Sequence, residues 1–205
     1  MQPVFFPSGA GPEPSDESLA VAAAAGDAEA FRQLVKRYER PVFGLVVCLV
    51  RDRETAEDLA QEAFLRAFRA LPSYDPTRRF ASWLLRIAHN AAIDALRRRG
   101  PRTVSLGAPV DEEDGPELEV ADTTQPDPEQ AAAGRDLGRQ LEGALRSLRP
   151  EHRTALLLRF RDELSYEEIA EVMGIPLGTV KTFIHRARQE LAKAASRGGF
   201  PIGGR

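Results

Sequence analysis

A chain of 205 residues with 42% apolar and 29% charged side chains has room for one ordinary soluble domain or two small ones. Its longest apolar run, residues 42–50, contains Gly44 and Cys48 and falls well short of the roughly 20 residues that cross a bilayer, so the composition predicts a soluble chain. The formal net charge of -3 argues weakly against a nucleic-acid partner only if it is spread evenly, and it is not.

From Arg78 to Arg102 there are seven arginines against one acid, Asp94, and from Lys181 to Arg197 five lysines and arginines against Glu190. Between them, from Thr103 to Gln130, lie nine acids and no base. Local basic blocks are what a phosphate backbone senses. Cys48 is the only cysteine and there are three histidines, which excludes an internal disulfide and a tetrahedral Cys/His zinc site. No metal or cofactor is expected.

Residues 1–16 carry four prolines and neither Lys nor Arg, so they read as a disordered tail and not as a signal peptide, which points to a cytoplasmic protein. The first module, 17–99, reads as helical throughout. Phe31, Leu34, Val35 and Tyr38 keep helical spacing, and Pro41 is expected to interrupt before a second apolar segment. Cys48, inside Val-Val-Cys-Leu-Val, reads as a buried small hydrophobe. Asp52-Arg-Glu-Thr-Ala-Glu announces a third helix, whose apolar face would be Leu59, Ala63, Phe64, Ala67, Phe68 and Leu71, with Asp58, Glu62, Arg66 and Arg69 opposite. Leu71-Pro-Ser-Tyr-Asp-Pro-Thr is turn-rich. A fourth helix, from about Arg79 to Arg99, would bury Phe80, Leu84, Ile87 and Ala91.

Residues 100–130, rich in proline and acids, cannot bury enough apolar surface to offset ordering and are expected to be a flexible linker. The second module, 131–197, opens on the stripe Leu137, Leu141, Leu145 and Leu148, ended by Arg149-Pro150, and a further helix carries Ala155 to Phe160. Ser165-Tyr-Glu-Glu168 fits a capping box. The helix it opens, Tyr166 to Met173, would bury Ile169, Ala170 and Met173. Gly174 supplies a left-handed stop, Ile175 plugs the core and Pro176 starts the last helix. Residues 198–205 would be a flexible tail. No period-2 strand is visible, so the fold class is all-α: two small helical domains joined by a flexible acidic linker.

A short capped helix, a Gly turn and a second helix make a helix-turn-helix, whose second member enters the major groove. Val180, Ile184, Ala187 and Leu191 form its buried stripe, leaving Thr179, Lys181, Thr182, His185, Arg186 and Arg188 to reach bases and phosphates. In the first module, Trp83, Arg86, His89, Asn90, Arg97, Arg98 and Arg99 lie on one helix beside a loop with Tyr74 and Phe80. Interleaved aromatic and basic groups suit unstacked bases. Taken residue by residue, the bland reading is favoured: Phe80 and Trp83 as core aromatics and the triple arginine as a solvated helix end. No carboxylate, histidine and nucleophile set accompanies His89, which is expected to be exposed and solvated.

The segments DLAQEAFLRAF (58–68), FASWLLRIAHNAAIDALRR (80–98) and LSYEEIAEVMGIPLGTVKTFIHRAR (164–188), in this order, resemble bacterial RNA polymerase sigma factors of the sigma-70 superfamily, in particular the compact extracytoplasmic-function (ECF) type. The resemblance implies a specificity subunit and not an enzyme, with core RNA polymerase (its beta-prime clamp helices and beta flap) and duplex and single-stranded promoter DNA as partners. It implies no small-molecule substrate. An anti-sigma factor is expected, and with it a means of holding the chain at the membrane.

By the same resemblance Asp58, Gln61 and Glu62, with Arg66 beside them, would contact polymerase. Tyr74, Arg78, Arg79, Phe80, Trp83, Arg86, Asn90 and Arg97 would serve the minus-10 element, the loop 73–79 with Phe80 forming a pocket for a flipped base. Thr179, Lys181, Thr182, Phe183, His185, Arg186 and Arg188 would serve the minus-35 element. Phe183 stands where the family commonly has Arg, and could pack inward, touch a thymine methyl or meet a partner. The acidic linker would either enter the RNA channel or merely stay extended, the second being favoured. The rival reading is an autonomous dimeric helix-turn-helix regulator, which leaves residues 58–99 without a purpose. An enzyme with an appended DNA-binding domain lacks a phosphate-binding loop, a metal constellation and a nucleophile set.

Overall fold

The computed structural model describes residues 13–98, 141 and 143–198, with side chains to residue 194. The expected linker and most of both expected tails lie outside the described residues, and so does Leu137. All regular structure among the described residues is helical.

Helix α1, Asp16–Ala24, starts where the Ser15 hydroxyl accepts the Ser18 backbone N–H at 3.2 Å, with Asp16 and Glu17 in its first turn. It buries Leu19, Ala20 and Ala23. Helix α2, Ala28–Val50, is capped by Asp27, whose carboxylate accepts the N–H groups of Glu29 and Ala30 at 2.9 and 3.1 Å. It runs straight through Pro41, against the expected interruption. Proline removes one backbone donor, but Leu34 before it and Val42, Leu45 and Val46 after it are buried in the same core, so packing carries the helix across.

Helix α3, Arg53–Ala70, is capped by Asp52 through the Thr55 N–H at 2.8 Å. Its buried stripe is Ala56, Leu59, Ala60, Ala63 and Ala67. That stripe is narrow and mostly alanine, which lets α2 and α4 approach closely, and Phe68 is left at its edge. Phe68 is therefore 51% exposed, contrary to its expected place in the core, and meets Phe31 at 4.9 Å between ring centroids.

After a short 3-10 turn, Leu71–Ser73, helix α4 spans Phe80–Arg98. The Glu17 carboxylate of α1 accepts the Phe80 N–H at 3.2 Å, so α1 caps α4. Phe80, Leu84, Leu85, Ala88, Ala91 and Ala92 are buried.

In the second module a helical segment, α5, is described at 141 and 143–147. Leu148 closes its stripe and is buried, Leu145 is partly covered, but Leu141 is 49% exposed. Helix α6, Pro150–Phe160, begins with proline, whose missing N–H costs nothing there. Helices α7, Tyr166–Met173, and α8, Leu177–Gly198, follow.

The two modules are packed on each other, an arrangement with no counterpart in the sequence reading. Helix α6 lies against α2 and α7 against α4. One apolar core runs from Leu34, Leu45, Phe80 and Leu84 to Leu158, Leu164, Ile169, Val172 and Val180.

Candidate nucleic-acid and polymerase interfaces

The helix-turn-helix is built as the spacing predicts. Ser165 Oγ accepts the Glu168 N–H at 3.1 Å while the Glu168 carboxylate accepts the Ser165 N–H at 2.7 Å, closing the capping box at the start of α7. Ile169 and Val172 are the buried pair of α7, with Ala170 and Met173 half-buried beside them. Gly174, at φ 65° and ψ 35°, ends α7 in the left-handed region, and the Ile175 N–H reaches back to the Ala170 carbonyl at 3.1 Å.

On α8, Val180, Ile184 and Ala187 are buried and Leu191 is partly covered. Lys181, Thr182, His185, Arg186 and Arg188 are exposed and Thr179 is half-buried. The Thr182 hydroxyl donates to the Gly178 carbonyl at 2.9 Å, which fixes its rotamer. Gln189, absent from the sequence-based set, meets His185 at 3.0 Å between Nε2 atoms. Together with Tyr166, Lys181 and Arg188 these two line an open groove of about 520 Å³. Gln189 lies one turn beyond His185 on the same face, and that spacing could have included it.

Phe183 points inward. It is half-buried against the core, its ring centroid 5.1 Å from that of His152, and His152 Nδ1 lies 3.1 Å from a Glu190 carboxylate oxygen. The side chain braces α8 on α6. Of the readings left open by the sequence, inward packing is the one realised.

In the first module the aromatic residues separate from the basic ones. Phe80 is 1% exposed and Tyr74 9%, so neither offers a face to a base in this structure, contrary to the expected pocket. Phe80 is ringed by Tyr38, Tyr74 and Trp83 at 5.5, 5.6 and 5.5 Å, and this cluster is the joint between α1, α2, the loop and α4. The Tyr74 hydroxyl donates to the Arg78 carbonyl at 2.5 Å, and burial pushes its pKa up to about 12. Such rings gain more from mutual burial than from waiting in solvent. Trp83, like Tyr38, stays partly exposed at the cluster's rim.

The loop itself is closed by an Asx turn: Asp75 accepts the Thr77 backbone N–H at 3.0 Å and its hydroxyl at 2.7 Å, which holds the carboxyl below its usual pKa range. Arg86, Asn90 and Arg97 are exposed along α4. Arg78 and Arg79 instead turn toward α7. Arg78 lies 3.4 Å from the Glu171 carboxylate, and Arg79 donates to the Glu163 carbonyl at 2.9 Å with the Glu168 carboxylate 3.8 Å away.

His89 is 7% exposed, which corrects its expected solvation: α4 packs against α2, α3 and α7, which leaves little of its surface to solvent. Its Nδ1 has no partner among the described residues. Burial lowers its pKa below the ordinary imidazole value of 6.5, a shift opposed by a hydrogen bond with Asn90. The folded state therefore binds fewer protons than the unfolded one below that value. Stability is complete above about pH 6.5 and declines as pH falls through the window beneath it. Thermal melts at pH 7.5 and pH 5.5 are expected to show a lower midpoint in acid, and His89→Gln should flatten that dependence.

The residues expected to meet polymerase share one stretch of α3. Asp58 and Gln61 are exposed and Glu62 is half-buried. Arg66 is drawn back onto Glu62 at 3.0 and 2.6 Å and stands 3.7 Å from Asp94, so its guanidinium is held within the bundle's own ion pairs. Leu65, at 58% exposure, and Phe68 continue the same stretch and were not anticipated as surface. An acidic stretch flanked by two large uncovered apolar side chains has the makings of a protein contact.

An exposed acidic-apolar stretch on one helical module and a basic helix-turn-helix on the other are the surfaces that a DNA reader working beside a protein partner would need. Residues 34–102 match the family model of Sigma-70 region 2 and residues 138–191 that of Sigma-70, region 4. The ECF RNA polymerase sigma factor SigW of Bacillus subtilis is 39% identical over 171 residues, spanning 82% of this chain and 90% of that protein. The ECF RNA polymerase sigma-E factor of Escherichia coli K12 is 37% identical over 177 residues, 86% of this chain and 92% of that one. The solved structure of CnrH in complex with the cytosolic domain of CnrY superposes with a TM-score of 0.60 at 25% identity, covering 89% and 97% of the two chains. The chain belongs to the ECF sigma factors of the sigma-70 family, transcription initiation factors that join core RNA polymerase and promoter DNA.

Proposed function

We propose that the two modules divide the promoter between them, with residues 17–99 taking polymerase and the opened minus-10 strand and residues 131–197 the minus-35 duplex. The observation that carries this reading is the segregation of polar groups that reach the surface. Lys181, Thr182, His185, Arg186 and Arg188 crowd the outer face of α8, Arg86, Asn90 and Arg97 line α4, and Asp58, Gln61 and Glu62 mark α3. Helix α8 enters the major groove, where its first turns meet base edges and its later cations meet phosphates. Phe183 takes no part in that contact and holds the helix at its angle.

On α4, Trp83 stacks at the rim while Arg86 and Arg97 follow the strand's phosphates and Asn90 reads a base edge. Tyr74 and Phe80 support this surface from beneath. The chain is no enzyme on this reading: polymerase does the chemistry, and this subunit chooses the start and holds the strand open. It acts in the cytoplasm with polymerase, and a separate anti-sigma protein regulates it; the structural neighbour CnrH was solved in complex with the cytosolic domain of a second protein, CnrY.

Run-off transcription with core polymerase on genomic DNA tests the reading. It is expected to give a discrete set of starts sharing one minus-35 and one minus-10 sequence. No transcripts above those of core alone, with failure to co-elute with core and tight duplex binding by the protein alone, would favour the autonomous regulator instead.

A further inference from the structure

Helix α8 carries a single acid, Glu190, among the cations that the proposed function aims at DNA. Side chains four apart on a helix are neighbours, so Glu190 stands one turn beyond Arg186, with Lys193 as its other cationic neighbour along α8. A carboxylate turned outward there would pair with Arg186 and place a negative charge beside a phosphate. In this structure it is held elsewhere. Glu190 Oε1 lies 3.1 Å from His152 Nδ1 on α6, and Arg186 is exposed with no carboxylate partner among the described residues. An ionised carboxylate only accepts hydrogen bonds, so the proton of that contact sits on Nδ1.

Packing prepares His152 for this contact. Phe183, Ala187 and Glu190 follow one another at steps of four and three, which makes them one stripe of α8, and all three meet α6 or its neighbours. Ala187 is fully buried and has no side chain beyond Cβ, so α6 comes close to α8 there. His152 is buried with its ring against Phe183, while the Glu190 side chain keeps 40% of its exposure. The donor is fixed by its surroundings, and the acid is fixed by the donor.

We infer that His152 is a positioning residue for minus-35 recognition: by holding Glu190 against α6 it keeps the one acid of the recognition helix off Arg186 and leaves that guanidinium to DNA. The inference rests on the minus-35 role given above to Arg186. A solvated pair between Arg186 and Glu190 would be weak by itself. Its effect on binding is larger than its effect on folding, because each cation withheld from a phosphate also withholds the release of a counterion. The part played by Phe183 follows from the same arrangement: it gives up a charge of its own and walls the imidazole that restrains Glu190.

The test compares full-length variants, assembled with core polymerase, for binding to a duplex carrying the minus-35 sequence of the mapped starts over a series of salt concentrations. His152→Leu keeps an apolar filling beside Phe183 and removes the donor, His152→Asn places an amide donor near the position of Nδ1, and Glu190→Gln removes the charge. His152→Leu is expected to weaken binding about fivefold and to flatten the slope of log affinity against log salt by about one. His152→Asn should stay within about twofold of the wild type, and adding Glu190→Gln to His152→Leu should restore both affinity and slope to about those of Glu190→Gln alone. Packing by itself ranks the variants the other way, since leucine suits a buried site better than asparagine. The double variant contains the same leucine, so its recovery separates charge from any loss of fold. Binding by His152→Leu within about twofold of the wild type would overturn the inference, as would a loss that persists undiminished beside Glu190→Gln or an asparagine variant weaker than the leucine one; the minus-35 assignment survives all three results. If Arg186→Ala itself leaves duplex binding unchanged, that assignment falls, and this inference with it.

Discussion

Replacing Asp58, Gln61 and Glu62 together by alanine is expected to abolish co-elution with core polymerase, a loss of at least about 100-fold in affinity. Three polar groups on two successive turns of α3, flanked by the uncovered Leu65 and Phe68, concentrate contact in a small area. Interfaces draw most of their free energy from such small sets, where individual truncations cost ~2 kcal/mol or more. The fold should survive. Among the described residues the internal partner lost is the Glu62–Arg66 pair, whose side chains are 43% and 34% exposed, and half-solvated i,i+4 pairs contribute about 0.3–0.5 kcal/mol. Asp58 and Gln61 are exposed on the helix surface. Sedimentation or gel filtration with core, set beside a thermal melt, separates the two effects. A melting midpoint lowered by more than about 8 °C, which for a chain of this size means over ~2 kcal/mol, would show that the face is structural.

The second large effect is expected on α8. Lys181→Ala or Arg186→Ala should weaken binding to a minus-35 duplex by about tenfold or more, in keeping with ~1–3 kcal/mol for a good base or phosphate contact. Neither change should alter capture of a single-stranded minus-10 oligonucleotide by the holoenzyme. Both side chains are exposed, while the helix is held by Val180, Ile184 and Ala187 and braced by Phe183 on His152. The contact is lost without the scaffold. Equal loss on both probes would contradict the division of the promoter between the modules.

The parts of this protein that were legible in its sequence are those set by local rules. Asp52, Ser165 and Gly174 announced their helix ends because a cap needs only a neighbour three residues away or one permissive backbone angle. The stripe Val180, Ile184, Ala187 told which face of α8 would be covered. The errors came where distant elements decide. Helical spacing around Pro41 could not say that the two halves would be buried in one core, and the polar character of His89 could not say that it would be buried.

Tyr74 and Phe80 have the residue types of a base-stacking site, but the space available to them is set by Tyr38, some forty residues earlier in the chain, and by α1. Arg78 and Arg79 carried the right charge and gave no hint of their glutamate and carbonyl partners. Those lie more than eighty positions away, as do Arg153 and Arg161 from the carbonyls they reach on α2. Periodicity records which side of a helix is apolar and not which other helix will cover it.

Helix α2 places its two poorest helix formers, Pro41 and Gly44, within one turn of each other, at the spot where Arg161 arrives. In an isolated helix they would cost ~3 and ~1 kcal/mol relative to alanine. The second module thus grips the first at its thinnest stretch of ladder. Dissection has a price here: a fragment ending near residue 98 would retain every residue of α2 and lose the external donor at that weak point. Its amide protons around 41–48 should be the first of that helix to exchange with solvent. The protein's natural cleavage into regions, so clear in its sequence, is a division of labour that its backbone only partly shares.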